Sequence, residues 1–211
     1  APKWLAFGCI PTLAVSQIVR PLAAFAGAYP DLAVRAFDSP AEELAELVES
    51  GAAAFAVSLG SPTRSTLTQD AFAQEPFVLV CHASHPLADA SRVTWDQLRR
   101  ETLIRISLST GNASKIDEAL GAKRLDLRWG YEAQSTGVAL QMAFARLGVT
   151  VAPALSIQSV PDLVAVPLVE PAIDRFLTVV TPKDGRLLAA AEKLRDLLIE
   201  EIRANLAPNS I

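Results

Sequence analysis

Leu5-Ala6-Phe7-Gly8-Cys9-Ile10-Pro11-Thr12-Leu13 decides the fold of this chain. Residues 5–10 form an apolar run of strand length, and Pro11-Thr12 turns it into a helical pattern. Val15, Ile18, Val19, Leu22 and Ala26 recur at helical spacing and predict the buried face of that helix. Pro21 lies inside the pattern, where it is expected to kink or break the helix. A strand that turns directly into a helix is the first half of a βαβ unit.

Further along, the same alternation repeats. Residues 32–37 read as the second strand. Ser39-Pro40-Ala41-Glu42 reads as a capping box, with Ser39 as the cap, Pro40 at the first helical position and Glu42 reaching back. Leu44, Leu47 and Val48 supply that helix's apolar stripe, and Gly51 ends it. Residues 53–59 are expected as a third strand, 60–69 as a polar stretch and 77–81 as a strongly β run. A short helix over 94–99 carries its own Thr94…Gln97 box. Strands follow over 103–106, 127–132, 149–152, 163–168 and 175–181. Helices are expected over 113–120 and 135–147, closed by Gly121 and Gly148, and over about 186–206. This order predicts an α/β fold with a mostly parallel sheet and helices on both faces. The pattern breaks near 70–80 and 170–176, as if one lobe were interrupted by a second.

In such a sheet the strand-to-helix turns share the carboxyl edge, where open α/β sheets bind ligands. Thr12, Ser39, Ser109, Thr110, Ser135 and Thr136 all fall on such turns. Each is also an ordinary helix-capping residue type. Their recurrence on one edge is what favours ligand contact, and helix N-termini there suit an anion.

Composition narrows the function. Of 211 residues 51% are hydrophobic, which supports a large buried core, and the net charge is −4. A chain without a basic stripe or arm is not itself a DNA-binding surface. No apolar run approaches bilayer length, and no secretory leader pattern precedes Trp4. Cys9 and Cys81 lie in apolar strand-like segments and read as small core residues. A disulfide between them stays open, because sequence does not give their separation. Cys81, His82 and His85 resemble half of a metal site, but no second cluster of zinc-type spacing accompanies them, and Pro86 marks a surface turn. Nucleophile-elbow, phosphate-loop and dinucleotide-loop motifs are absent. Glu42-Glu43 and Glu200-Glu201 read as solvated helix faces. The expectation is a protein that is not an enzyme and needs no cofactor.

Several segments together resemble one family. Gly8-Cys9-Ile10-Pro11-Thr12-Leu13, the run from Phe25 through Tyr29-Pro30-Asp31-Leu32, residues 44–51, Glu75-Pro76-Phe77-Val78-Leu79-Val80 followed by Ser84-His85-Pro86-Leu87-Ala88, and Leu147-Gly148-Val149-Thr150-Val151-Ala152-Pro153 are similar, in order and spacing, to the effector-binding domain of LysR-type transcriptional regulators. The resemblance spans essentially the whole chain. It implies two Rossmann-like lobes joined by two crossover segments, of periplasmic-binding-protein type II. Lobe I would hold 1–72 and 176–211, and lobe II 73–175. It implies a small-molecule effector, a carboxylate or other anion, held by Thr12, Leu13, Ser39, Ser58, Ser109, Thr110, Ser135 and Thr136. It further implies a cytoplasmic homodimer, tetrameric in the full-length protein. The helix over 12–28 would serve in the interface, and DNA would be bound only through an N-terminal winged helix-turn-helix that does not precede Trp4. One departure stands out: Ala54 occupies a position where the family often carries an acidic residue. No arginine clamp is evident either, since Arg105 on a strand is expected to point to solvent or to pair locally. The rival reading is a solute-binding protein of a transporter, which shares the two-lobe fold.

Overall fold

The computed structural model of the chain describes residues 3–60, 64–107 and 112–207. They divide into two units, Ala1–Gln74 with Phe176–Ile211, and Glu75–Arg175.

The first unit is built on β1 (Lys3–Cys9), β2 (Leu32–Asp38), β3 (Ala56–Leu59) and β10 (Asp174–Pro182), in the order β2-β1-β3-β10. β1 runs parallel to both β2 and β3, and β10 is antiparallel to β3. Its helices are α1 (Pro11–Gln17), α2 (Val19–Ala28), α3 (Ala41–Glu49) and α6 (Ala189–Leu206). Phe7 and Phe55 stack with centroids 5.7 Å apart, and Leu13, Phe25, Leu44 and Leu198 are buried in this unit. Gly8 is required by the packing of α3. A Cβ there would lie 2.6 Å from Leu44 Cδ2 and 3.0 Å from Ala56 Cβ. Gly51, at φ +74°, ends α3 in the left-handed conformation as expected.

The first helical pattern is broken at Ile18, giving two helices. Pro21 has no N–H to give to the carbonyl four residues earlier, and its ring crowds that carbonyl, so the break falls one turn before it. The expected buried face is corrected. Leu13, Gln17, Pro21 and Phe25 are buried, at i, i+4 spacing, while Val15 is 57% and Val19 66% exposed. The buried Gln17 is held by Asn205 Nδ2, which donates to its Oε1 at 2.8 Å from α6. A polar residue on the buried face hid that face from a hydrophobicity pattern. The capping box at Ser39 is also corrected. Pro40 is the N-cap of α3, and no side chain caps it.

The second unit holds β4 (Leu67–His82), whose first half belongs to the first unit, then β5 (Val93–Thr94), β6 (Leu103–Ile106), β7 (Trp129–Ala133), β8 (Val149–Pro153) and β9 (Leu163–Val169). The order is β4-β8-β6-β7, with β9 on β4 and β5 on β9. β6 is parallel to β7 and β8, while β4 is antiparallel to β8 and β9. The sheet is thus less parallel than expected. The antiparallel pairs come from β4 and β10, the two strands along which the chain passes from one unit to the other. Alternate residues of β4 feed two cores, Phe77, Leu79 and Cys81 one, Val78 and Val80 the other. Burial on both faces explains the unbroken apolar run at 77–81. α4 (Asn112–Leu120) and α5 (Thr136–Phe144) complete the unit. The Thr94…Gln97 box forms reciprocally, Thr94 N donating to Gln97 Oε1 (2.8 Å) and Gln97 N to Thr94 Oγ1 (3.4 Å), around a single 3-10 turn and not an α-helix. Cys9 and Cys81 are both buried thiols.

Candidate functional site

In the first unit the parallel pairing aligns the ends of β1, β2 and β3, so Thr12, Ser39 and Ser58 gather along one edge. Thr12 is the second residue of α1 and half-buried. Leu13 is fully buried and its N–H donates to Ile10 O at 3.0 Å, so it anchors the turn from within the core. Ser39, half-buried, links β2 to the Pro40 cap. Ser58 is buried at the end of β3, and its cross-strand partner is Thr178 of β10, also buried. Neither hydroxyl has a hydrogen-bond partner.

In the second unit Ser135 and Thr136 follow β7. Ser135 is the N-cap of α5, accepting from Val138 N at 3.3 Å, and Thr136 is buried as the first helical residue. Ser109 and Thr110 lie outside the described residues. Of the two expected arrangements for Arg105, local pairing is the one found. Its Nη2 is 2.5 Å from Asp117 Oδ2, and its guanidinium lies over the Trp129 ring at 5.4 Å.

The histidine cluster is built for structure. His82 Nδ1 accepts from Ser84 N and His85 Nδ1 from Leu87 N, so the turn's own backbone uses these nitrogens. His85 Nε2 lies 3.3 Å from Glu101 Oε2. Burial, with the Glu101 charge nearby, pushes the Cys81 thiol up to about 11, the reverse of what a thiolate ligand needs. Among the described residues no group of three or more His, Cys, Asp or Glu is placed to hold a metal ion. On α3 the expected solvated face is a charge cluster. Arg64 bonds Glu42 and Glu49, and the Thr66 hydroxyl also donates to Glu49. Those two hydrogen bonds, Thr66 first, hold the Glu49 carboxyl below its ordinary range.

One buried ion pair lies where the chain passes between units. Arg175 Nε and Nη2 both reach Glu75 Oε2 at 2.7 Å, and Glu75 Oε1 accepts from Leu155 N at 2.9 Å. Glu75 is the first residue of the second unit and Arg175 the last.

The family model for the LysR substrate binding domain matches residues 3–203. The chain belongs to this family. Among its relatives, the HTH-type transcriptional regulator YbhD of Escherichia coli is 32% identical over 193 residues, covering 90% of this chain and 61% of YbhD. The chain therefore spans about three fifths of that relative. Its fold is similar to the Synechocystis CcmR regulatory domain in complex with 2-PG, with TM-score 0.79, 20% identity, and coverage of 97% of this chain and 99% of that one. It is also similar to the BenM effector binding domain with benzoate, with TM-score 0.75, 19% identity, and coverage of 99% and 97%. The transporter reading is not favoured by these matches.

In this LysR substrate-binding domain, the sequence pattern marks the strand-to-helix turns but gives no sign of the buried pairs Ser58–Thr178 and Glu75–Arg175. Thr178 sits in an apolar strand, and only cross-strand register reveals that it faces Ser58. Glu75 had a signal, the Glu75-Pro76 pair directly before an apolar run, but its partner is 100 residues away.

Proposed function

We propose that this domain binds a small-molecule effector, an anionic metabolite, at its carboxyl-edge turns, and that binding controls DNA contacts made by another segment of the full-length regulator. Thr12, Ser39 and Ser58 contact the effector in the first unit. Ser135 and Thr136 do so in the second, as do Ser109 and Thr110, which lie outside the described residues. The observation that carries the reading is the gathering of hydroxyl side chains on the edge where parallel strands end. What CcmR and BenM hold in their solved structures supports the same class of ligand, since benzoate is a carboxylate. Arg105 and Arg175 are engaged in ion pairs with Asp117 and Glu75, so the proposed donors to the anion are hydroxyls and N–H groups.

The protein acts in the cytoplasm, as a regulator and not a catalyst. None of the described helices is long and apolar enough to cross a membrane. It works as a homodimer, a tetramer at full length. The exposed Val15 and Val19 supply an apolar stripe on α1 and α2 for that contact, and Leu13, Gln17, Pro21 and Phe25 occupy the opposite, core-facing side. An effector shifts the assembly only by binding one arrangement better than another. DNA footprinting of the full-length regulator with and without a bound acid tests this. A footprint that changes extent or spacing is expected, and one that stays the same for every ligand that binds the domain would contradict it.

A further inference from the structure

The groove between α2 and α6 brings opposite charges to the two walls of one concavity. It has a volume of about 350 Å³ and is lined by Arg20, Pro21 and Ala24 of α2 and by Leu197, Glu200, Glu201 and Ala204 of α6. The four α6 residues recur at i, i+3, i+4 and i+7, so they share one face of that helix, beside the face that Leu194, Leu198 and Ile202 bury. On α2, Pro21 is buried and forms part of the floor. The Glu200-Glu201 pair reads from sequence as a solvated face, but both residues line this groove.

Neither Arg20 nor Glu200 has an ion-pair or hydrogen-bond partner among the described residues, although they stand on facing walls. Glu201 is half-buried and held in place. Asn205 Nδ2 donates to its Oε1 at 3.2 Å, and the same nitrogen donates to Oε1 of the buried Gln17. That bond fixes the Glu201 carboxylate from one side and leaves its second oxygen to accept from elsewhere. An apolar floor with a few polar groups at its rim is the make-up of a small-molecule site. Here the polar groups carry both signs, a guanidinium on one wall and carboxylates on the other.

We propose that this groove binds a zwitterionic α-amino acid with an apolar side chain. The ligand's carboxylate lies on the Arg20 guanidinium, whose planar fork suits it. Its ammonium donates to Glu200 and Glu201, and its side chain rests on Pro21, Ala24, Leu197 and Ala204. The site is built from other elements than the strand-to-helix turns, and it does not rest on the effector reading above.

The test uses the whole chain with L-leucine as the probe, read by amide NMR shifts. Isocaproate, which is leucine without its ammonium, and isopentylamine, which is leucine without its carboxylate, are the controls. So small a ligand on an open groove is expected to bind at about millimolar concentration. Leucine is expected to shift the amides of Arg20, Ala24 and residues 197–204, and each control to bind about fivefold more weakly, since each lacks one charge contact. Arg20→Gln should weaken leucine about fivefold and leave isopentylamine unchanged. Glu200→Gln combined with Glu201→Gln should weaken leucine and leave isocaproate unchanged. Equal binding of leucine and either control would overturn the zwitterion site. So would leucine shifts confined to residues 12–13 or 135–138, which belong to the turns and would leave the effector reading standing. No leucine response at residues 20–24 and 197–204 would overturn it as well, and a lower apparent mass of Arg20→Gln in sedimentation would then assign the groove to a contact between copies of this chain.

Discussion

Glu75 and Arg175 form the residue-scale interaction with the largest expected consequence. Both are buried, and Glu75 also satisfies Leu155 N. Removing one partner leaves a charge buried without its counter-ion, so Glu75→Gln is expected to cost about 3–5 kcal/mol, measured by urea unfolding. Replacing both residues with apolar ones of similar volume should recover most of that loss. A single variant as stable as the wild type would show that the pair is not what holds this position. Cys81 gives a prediction in pH. Its thiol titrates at about 11 in the folded chain against 9.0 ordinarily, so the folded state resists ionisation. The sign is that of a raised group. Stability is unaffected below about 9 and falls as pH rises from there to about 11, because the unfolded thiol ionises first. Cys81→Ala should flatten this alkaline loss, relative to its own stability at pH 7, in melts over that window. Residue identity and its apolar neighbours alone mark Cys81 as a small core residue. It could not show that Glu75 and Arg175 meet, because burial and partner are both non-local.

At the scale of elements, Ser135 and Gly148 carry the clearest expectations. Ser135→Ala removes the side-chain N-cap bond of α5, from Val138 N, and is expected to cost about 1 kcal/mol. A Cβ on Gly148 would lie 2.3 Å from Thr102 O, so Gly148→Ala must displace backbone at the start of β8 and should destabilise by several times the Ser135 figure. Comparing the two melting curves checks both. An alanine at 148 that leaves the melt unchanged would mean that the strand has room to yield. Most elements were legible because their signals are local. Apolar runs set β1, β6 and β8, and Gly51 and Gly121 ended their helices with positive φ. The misread elements were those set by distant contacts. α1 and α2 bury a face with Gln17 and Pro21 in it, and β4 extends ten residues before the apolar run that announced it. Ser39 illustrates the limit of a motif. Its capping-box spacing is right, but Pro40 takes the cap position.

For the whole molecule, the family match over residues 3–203 fixes the family and with it the fold, and effector binding through the turn hydroxyls is the proposed function. The candidate site was legible in part. Thr12 and Ser135 are on the strand-to-helix turns where the pattern put them, while Leu13 is a core residue and Thr178 is reached only through strand pairing. Dimerisation through the outer face of α1 and α2 is testable at this scale. Val19→Glu should lower the apparent mass in sedimentation without lowering the melting temperature of the monomer, because Val19 is exposed and not part of the core. The most direct test of the account is a thermal-shift titration of the chain against carboxylic, aromatic and amino acids, repeated on Thr12→Val. A ligand that binds only the folded state raises the melting temperature by mass action, about 2.7 kcal/mol of stabilisation at a hundred times its Kd. At least one acid is expected to stabilise the wild type and to lose most of that effect in Thr12→Val. An acid that stabilises both equally would contradict it, placing the ligand away from the carboxyl-edge turns.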